Sequence, residues 1–125
     1  MRGLGAGELL IALSRATRIH LATEPVDFRK AIDGLSGVVR NVLRDNPASG
    51  HLFVFHSRDR RALKLLWWDE GGFCLLHKRL VQGRFRLPAF VPEAARVAMT
   101  GAELAALLEG IDLAKAVRLP RWNPP

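Results

Sequence analysis

Leu52-Phe53-Val54-Phe55, Ala62-Leu63-Lys64-Leu65-Leu66-Trp67-Trp68 and Phe73-Cys74-Leu75-Leu76-His77-Lys78-Arg79-Leu80 follow one another closely, and each run is apolar-rich and of strand length. Asp69-Glu70-Gly71-Gly72 separates the last two and reads as a hairpin turn, because glycine supplies the positive φ that tight turns need. The charged loop Ser57-Arg58-Asp59-Arg60-Arg61 joins the first two. A final short strand is expected over Arg84–Leu87, stopped by Pro88, which cannot donate to a ladder. This region predicts a β-meander, and the rest of the chain must cover it.

Upstream, Ile19-His20-Leu21-Ala22 alternates as a brief strand closed by Pro25. Asp27 is placed to cap a helix running from Phe28 to about Arg44, and Phe28, Ile32, Leu35, Val39 and Val42 form its apolar stripe. Gly34 and Gly37 weaken that helix unless they permit a close approach to the sheet or mark a break. Asn46-Pro47-Ala48-Ser49-Gly50 reads as a turn. Downstream, residues 88–98 read as a proline-bounded connector. Thr100-Gly101-Ala102-Glu103 matches a capping box, and Leu104, Leu107, Leu108 and Ile111 continue one helical face behind it. Residues 1–15 are expected to be a flexible, glycine-rich extension with at most a short helix from Glu8 to Ser14, and residues 116–125 an exposed proline-rich tail. Residues 16–115 form the expected α+β domain: a small twisted antiparallel sheet of three to five strands on one main helix, with a short C-terminal helix over an edge or the same face.

The chain has 125 residues, with 19 Lys and Arg against 12 Asp and Glu, for a net charge of +7. That excess favours phosphate backbones or acidic surfaces through long-range attraction and counterion release. The basic residues concentrate where the strands do. Arg58, Arg60, Arg61, Lys64, Lys78, Arg79, Arg84 and Arg86 face only Asp59, Asp69 and Glu70 in the same stretch. Lys64 and Lys78 lie on strands expected to pair, which would set both on one face of the ribbon. Trp67, Trp68, Phe73 and Phe85 are interleaved with these cations, and aromatics beside arginine can stack on bases. The competing reading is a solvated polar face over a Trp-anchored core. Arg29 and Lys30 are outlying candidates, since cations are poorly placed at a helix N-terminus. Alternatively, Arg29 pairs with Asp33.

Signals for chemistry are weak. Cys74 has no second cysteine to pair with, which suits a reducing cytoplasm, and His77 three residues on would point to the other face of a strand. His20, His51, His56 and His77 show no metal-ligand spacing, so neither a metal nor a cofactor is expected from the sequence. Asp27, Asp33, Asp69 and Glu70 invite a metal-dependent nuclease reading, but nothing in their spacing joins them. No apolar run reaches the roughly 18 residues of a membrane helix.

Several blocks along the chain resemble one family. Ile19-His20-Leu21-Ala22-Thr23-Glu24-Pro25-Val26-Asp27-Phe28-Arg29-Lys30 with Asp33-Gly34-Leu35 is similar to the opening motif of the accessory protein of the insertion-sequence sixty-six family, often called TnpB, the product of the element's second reading frame. Ser49-Gly50-His51-Leu52-Phe53-Val54-Phe55 and Asp59-Arg60-Arg61-Ala62-Leu63-Lys64-Leu65-Leu66-Trp67-Trp68-Asp69 resemble its next blocks. Leu75-Leu76-His77-Lys78-Arg79-Leu80, Gly83-Arg84-Phe85 and Leu107-Leu108-Glu109-Gly110-Ile111-Asp112 follow in order. The resemblance covers about residues 18–112. It departs at Leu87-Pro88, where the family usually has Trp before the proline, and at Met99-Thr100-Gly101, where Leu-Thr-Pro is more usual. The resemblance implies a bacterial mobile element and an accessory role beside a separate transposase, with no catalytic residues to carry over. The expected partners are DNA, bound with low specificity, and the transposase, in the cytoplasm. The alternatives are a pure protein-interaction module for the transposase and, further off, a small metal-dependent nuclease.

Overall fold

A computed structural model describes residues 18–90 and 93–110. The expectations for residues 1–15 and 116–125, and for Ile111 in the last apolar stripe, lie outside the described residues. Five strands form one sheet: β1 (Ile19–Ala22), β2 (Leu52–His56), β3 (Ala62–Asp69), β4 (Gly72–Arg79) and β5 (Arg96–Met99), in the order β4-β3-β2-β1-β5. Helix α1 (Ile32–Asn41) connects β1 to β2, and α2 (Gly101–Leu108) follows β5. The α+β class and the main helix are as expected. The sheet, however, is mixed: β1 runs parallel to β2, with Ile19 opposite Leu52, whereas the other pairings are antiparallel. A helix between two strands allows the crossover that a parallel pair requires.

The central strand β2 is buried at all five positions. Its unbroken apolar run reflects a sheet covered on both faces. On one face Phe53, Phe55, Leu66 and Ala22 meet Leu35, Val39 and Leu43 of and just after α1. On the other, Leu21, Val54, Leu63 and Leu65 meet Leu104, Leu107 and Leu108 of α2, together with Phe85 and Leu87. The C-terminal helix therefore takes the face opposite the main helix, not the same face or an edge, because a sheet apolar on both sides needs two covers.

Three local expectations change. The main helix begins at Ile32, with Ala31 at its N-cap and no side-chain cap, so Phe28 and Asp27 precede it. Asp27 instead accepts hydrogen bonds from the Arg29 backbone (2.9 Å) and guanidinium (2.7 to 3.1 Å). Residues 84–87 are not a strand. They form an extended segment held by one backbone bond, Phe85 N–H to the Arg60 carbonyl at 2.7 Å, which buries Phe85 and Leu87 and leaves Arg84 and Arg86 outside. Their alternation imitates a strand because the segment lies across a packed face. Within the supposed connector, Arg96–Met99 forms edge strand β5 on β1. Neither helix glycine admits the sheet: Gly34 faces the Lys30 side chain, and Gly37 faces open space.

Candidate nucleic-acid interface

The β2–β3 loop is built by its own short polar side chains. Ser57 Oγ donates to Asp59 Oδ1 (2.7 Å) and accepts from Ala62 N–H (3.1 Å), while Asp59 Oδ1 also accepts from Arg61 N–H (3.1 Å). Arg60, at φ +60°, turns the chain in the left-handed region. With these groups holding the backbone, Arg58, Arg60 and Arg61 have their side chains in solvent. The hydrogen bond from Ser57, then that from Arg61 N–H, holds the Asp59 carboxyl below its usual range, so it is ionised at neutral pH.

Strand register brings the other arginines here. Arg79 ends β4 opposite Ala62, and Leu80 N–H donates to the Arg61 carbonyl at 2.8 Å. The Phe85–Arg60 backbone bond sets Arg84 and Arg86 beside the same loop. Six exposed arginines, Arg58, Arg60, Arg61, Arg79, Arg84 and Arg86, thus gather at one end of the sheet. Among the described residues, none of the six has a carboxylate at ion-pair distance.

Arg29 lies near this end. Val26 N–H donates to the His56 carbonyl (3.1 Å), and Pro25, Val26, Asp27 and Phe28 line one cavity with Ser57, Arg58 and Asp59. Arg29 is 91% exposed and pairs with Asp27, not Asp33, at 2.7 Å, which holds the Asp27 carboxyl down at about 2. Lys30 is exposed, with its stem beside Gly34.

The two strand lysines are on opposite faces, contrary to the sequence reading, because Lys64 sits opposite His77 and Lys78 opposite Leu63. Lys64 is only 6% exposed; its ammonium donates to the Phe28 carbonyl (2.8 Å) and the Lys30 carbonyl (2.7 Å) and lies 5.0 Å from the Phe28 ring centre. It orders the segment that carries Arg29 and Lys30 and contributes no surface. Lys78 donates to the Leu108 carbonyl at 2.6 Å, tying β4 to the end of α2. The aromatics separate from the arginines as well. Phe85 is buried, and Trp68 and Phe73 pair edge to face (5.0 Å) beside the β3–β4 turn, at the other end of the sheet. Cys74 is half-buried, its thiol pushed up by burial, and faces away from His77.

The carboxylates of the nuclease reading stand apart: Asp27 at the arginine end, Asp33 in the first turn of α1, and Asp69 and Glu70 at the opposite turn. The family described as IS66 Orf2-like protein matches residues 17–118. The chain belongs to this family. Two relatives from Sinorhizobium fredii, both described as uncharacterized, are similar along most of their length. Protein y4hO is 42% identical over 95 residues, spanning 76% of this chain and 81% of its own. Protein y4jC is 35% identical over 115 residues, spanning 92% and 97% respectively. No solved structure matches. Membership in the IS66 Orf2-like family associates the chain with insertion-sequence transposition in an accessory capacity. Among the described residues, no helix is long and apolar enough to cross a membrane.

Proposed function

We propose that this IS66 Orf2-like protein is a non-catalytic accessory factor that contacts element DNA in the cytoplasm through the arginine end of its sheet. The observation carrying this reading is the convergence of Arg58, Arg60, Arg61, Arg79, Arg84 and Arg86 from three chain segments onto one end, where the nearby carboxylates are already engaged, Asp59 Oδ1 by Ser57 and Arg61 N–H and Asp27 by Arg29. Guanidiniums with no ion-pair partner among the described residues, held on ordered backbone, suit phosphate, which they bind in a bidentate fork. Among the described residues, Phe85 is buried and Trp68 and Phe73 are distant, so these aromatics do not interleave with the arginines, and the contact is to the backbone and of low sequence specificity. Arg29 and Lys30 extend the positive surface, with Arg29 partly neutralised by Asp27.

Binding of the purified protein to labelled element-end duplex and to scrambled duplex, across a salt series and without transposase, tests the proposal. Binding should weaken as salt rises, and Arg60→Ala/Arg61→Ala should lower affinity at least tenfold and flatten the logarithmic salt slope by roughly one unit per lost phosphate contact. Absence of duplex binding at low salt, with transposase still captured through the same arginines, would instead assign this end to an acidic protein partner.

A further inference from the structure

At the other end of the sheet, three side chains far apart in sequence converge. His20 is on β1, Asp45 follows α1, and His51 immediately precedes β2. His20 Nε2 lies 3.2 Å from His51 Nδ1, and Asp45 Oδ2 lies 3.9 Å and 3.8 Å from those two nitrogens. We propose that His20, Asp45 and His51 form a binding site for a divalent transition metal of the zinc class.

The distances carry the argument. A triangle with sides of 3.2, 3.9 and 3.8 Å has a circumscribed radius of about 2.1 Å, so one point is equidistant from all three atoms at the length of a zinc–imidazole or zinc–carboxylate bond. Two imidazoles and a carboxylate are the donor set that zinc and its neighbours accept, and three protein ligands leave a fourth position for water. The ligands are partly shielded, with side-chain exposures of 12% for His20, 19% for Asp45 and 28% for His51.

The backbone holds the ligands in place. Asp45 N–H donates to the Val39 carbonyl (3.0 Å), Ala48 N–H to Asn46 Oδ1 (2.9 Å), and His51 N–H to Ser49 Oγ (3.1 Å). His20 stacks on Phe53, 5.5 Å between ring centres. Arg96 also bonds Asp45 Oδ2, while Oδ1 accepts the Asn46 N–H. A carboxylate has about four lone-pair directions, so Oδ2 can hold Arg96 on one and a metal on another. Arg96 then orients the carboxylate from outside the coordination shell, at some cost in affinity from its own charge. A bound ion replaces the His20–His51 hydrogen bond and clamps β1, the 45–51 loop and β2 together.

Titration of the metal-free protein with Zn²⁺ against a chromophoric chelator, and with Co²⁺ followed by visible absorption, tests the site. One ion per chain with micromolar or tighter affinity is expected, together with a tetrahedral-type cobalt spectrum and a melting temperature that rises with zinc concentration. His20→Ala and His51→Gln should each weaken binding at least tenfold, while His77→Ala, at the arginine end, leaves it unchanged. His51→Gln changes a ligand outside the buried core, so its result stands even if His20→Ala fails to fold. Lack of zinc binding by the wild-type protein, or equal affinity in folded His51→Gln, overturns the proposal. Duplex binding measured in the same variants reads out the arginine end independently.

Discussion

Lys64 shows how a single side chain can be misjudged from its charge. In sequence it belongs to the basic series, yet its ammonium crosses to the α1 face and binds two carbonyls of the segment before that helix. Those carbonyls fall where the chain turns into the helix and have no ladder partner, so the lysine completes their hydrogen bonding. Lys64→Met keeps the volume and removes both donors. It should destabilise the fold by about 2 kcal/mol, the penalty expected for orphaned buried acceptors, as read from urea unfolding. Its duplex affinity, measured under conditions where the variant is fully folded, should change far less than that of Arg60→Ala/Arg61→Ala. An unchanged urea midpoint would show that the two carbonyls find other partners.

Among the elements, the β3–β4 hairpin was the most legible, because two apolar runs separated by Asp-Glu-Gly-Gly leave few other pairings. The two-residue connection has Glu70 at φ +38° and Gly71 at φ +90°, the signs of a type I′ turn, with Asp69 opposite Gly72. Glutamate is a poor occupant of the left-handed region, whereas asparagine tolerates it and Asn-Gly is the favoured pair. Glu70→Asn is therefore expected to raise stability by about 1 kcal/mol in the same denaturation assay, and a loss of stability would refute the turn assignment. The capping box of α2 was equally legible, since it is local: Thr100 Oγ1 accepts from Glu103 N–H (3.1 Å), and Glu103 Oε1 accepts from Thr100 N–H (2.9 Å). Strand β5 was not. Its four residues follow an alanine pair and carry no alternation strong enough to mark a strand, so pairing with β1 decides their conformation.

For the molecule as a whole, proton uptake should set the pH range of stability. His56 is buried, with ring nitrogens near the Thr23 carbonyl (3.2 Å) and the Ser57 carbonyl (3.3 Å), and its pKa is lowered chiefly by that burial. The His77 pKa is lowered by burial and then by the Lys64 charge. Both rings take up a proton in the unfolded chain near the ordinary value of 6.5 and resist it when folded. The unfolded state thus binds more protons below that value, and stability falls as pH drops through it. Asp27 and Asp59, both held below the ordinary 3.8, add a second loss as pH falls from there, which for Asp27 runs down to about 2. Urea midpoints should be level above neutrality, decline on acidification below about pH 6.5, and decline less in His56→Gln. A level midpoint across the histidine range would contradict the burial of the His56 ring.

The amino-acid sequence by itself determined the α+β class, the meander at its centre, the main helix, the cap of the last helix and the basic excess. These depend on periodicity, turn residues and charge, which act between neighbours along the chain. Only the tertiary structure decided that β1 runs parallel to β2, that the two helices take opposite faces, and that Arg84 and Arg86 join the loop arginines while Lys64 leaves them. It also decided that His20, Asp45 and His51 meet. Each of these outcomes depends on register and crossover, which bring together residues some thirty positions apart. No local pattern records such distances, because the free energy that selects them comes from covering both faces of one sheet at once.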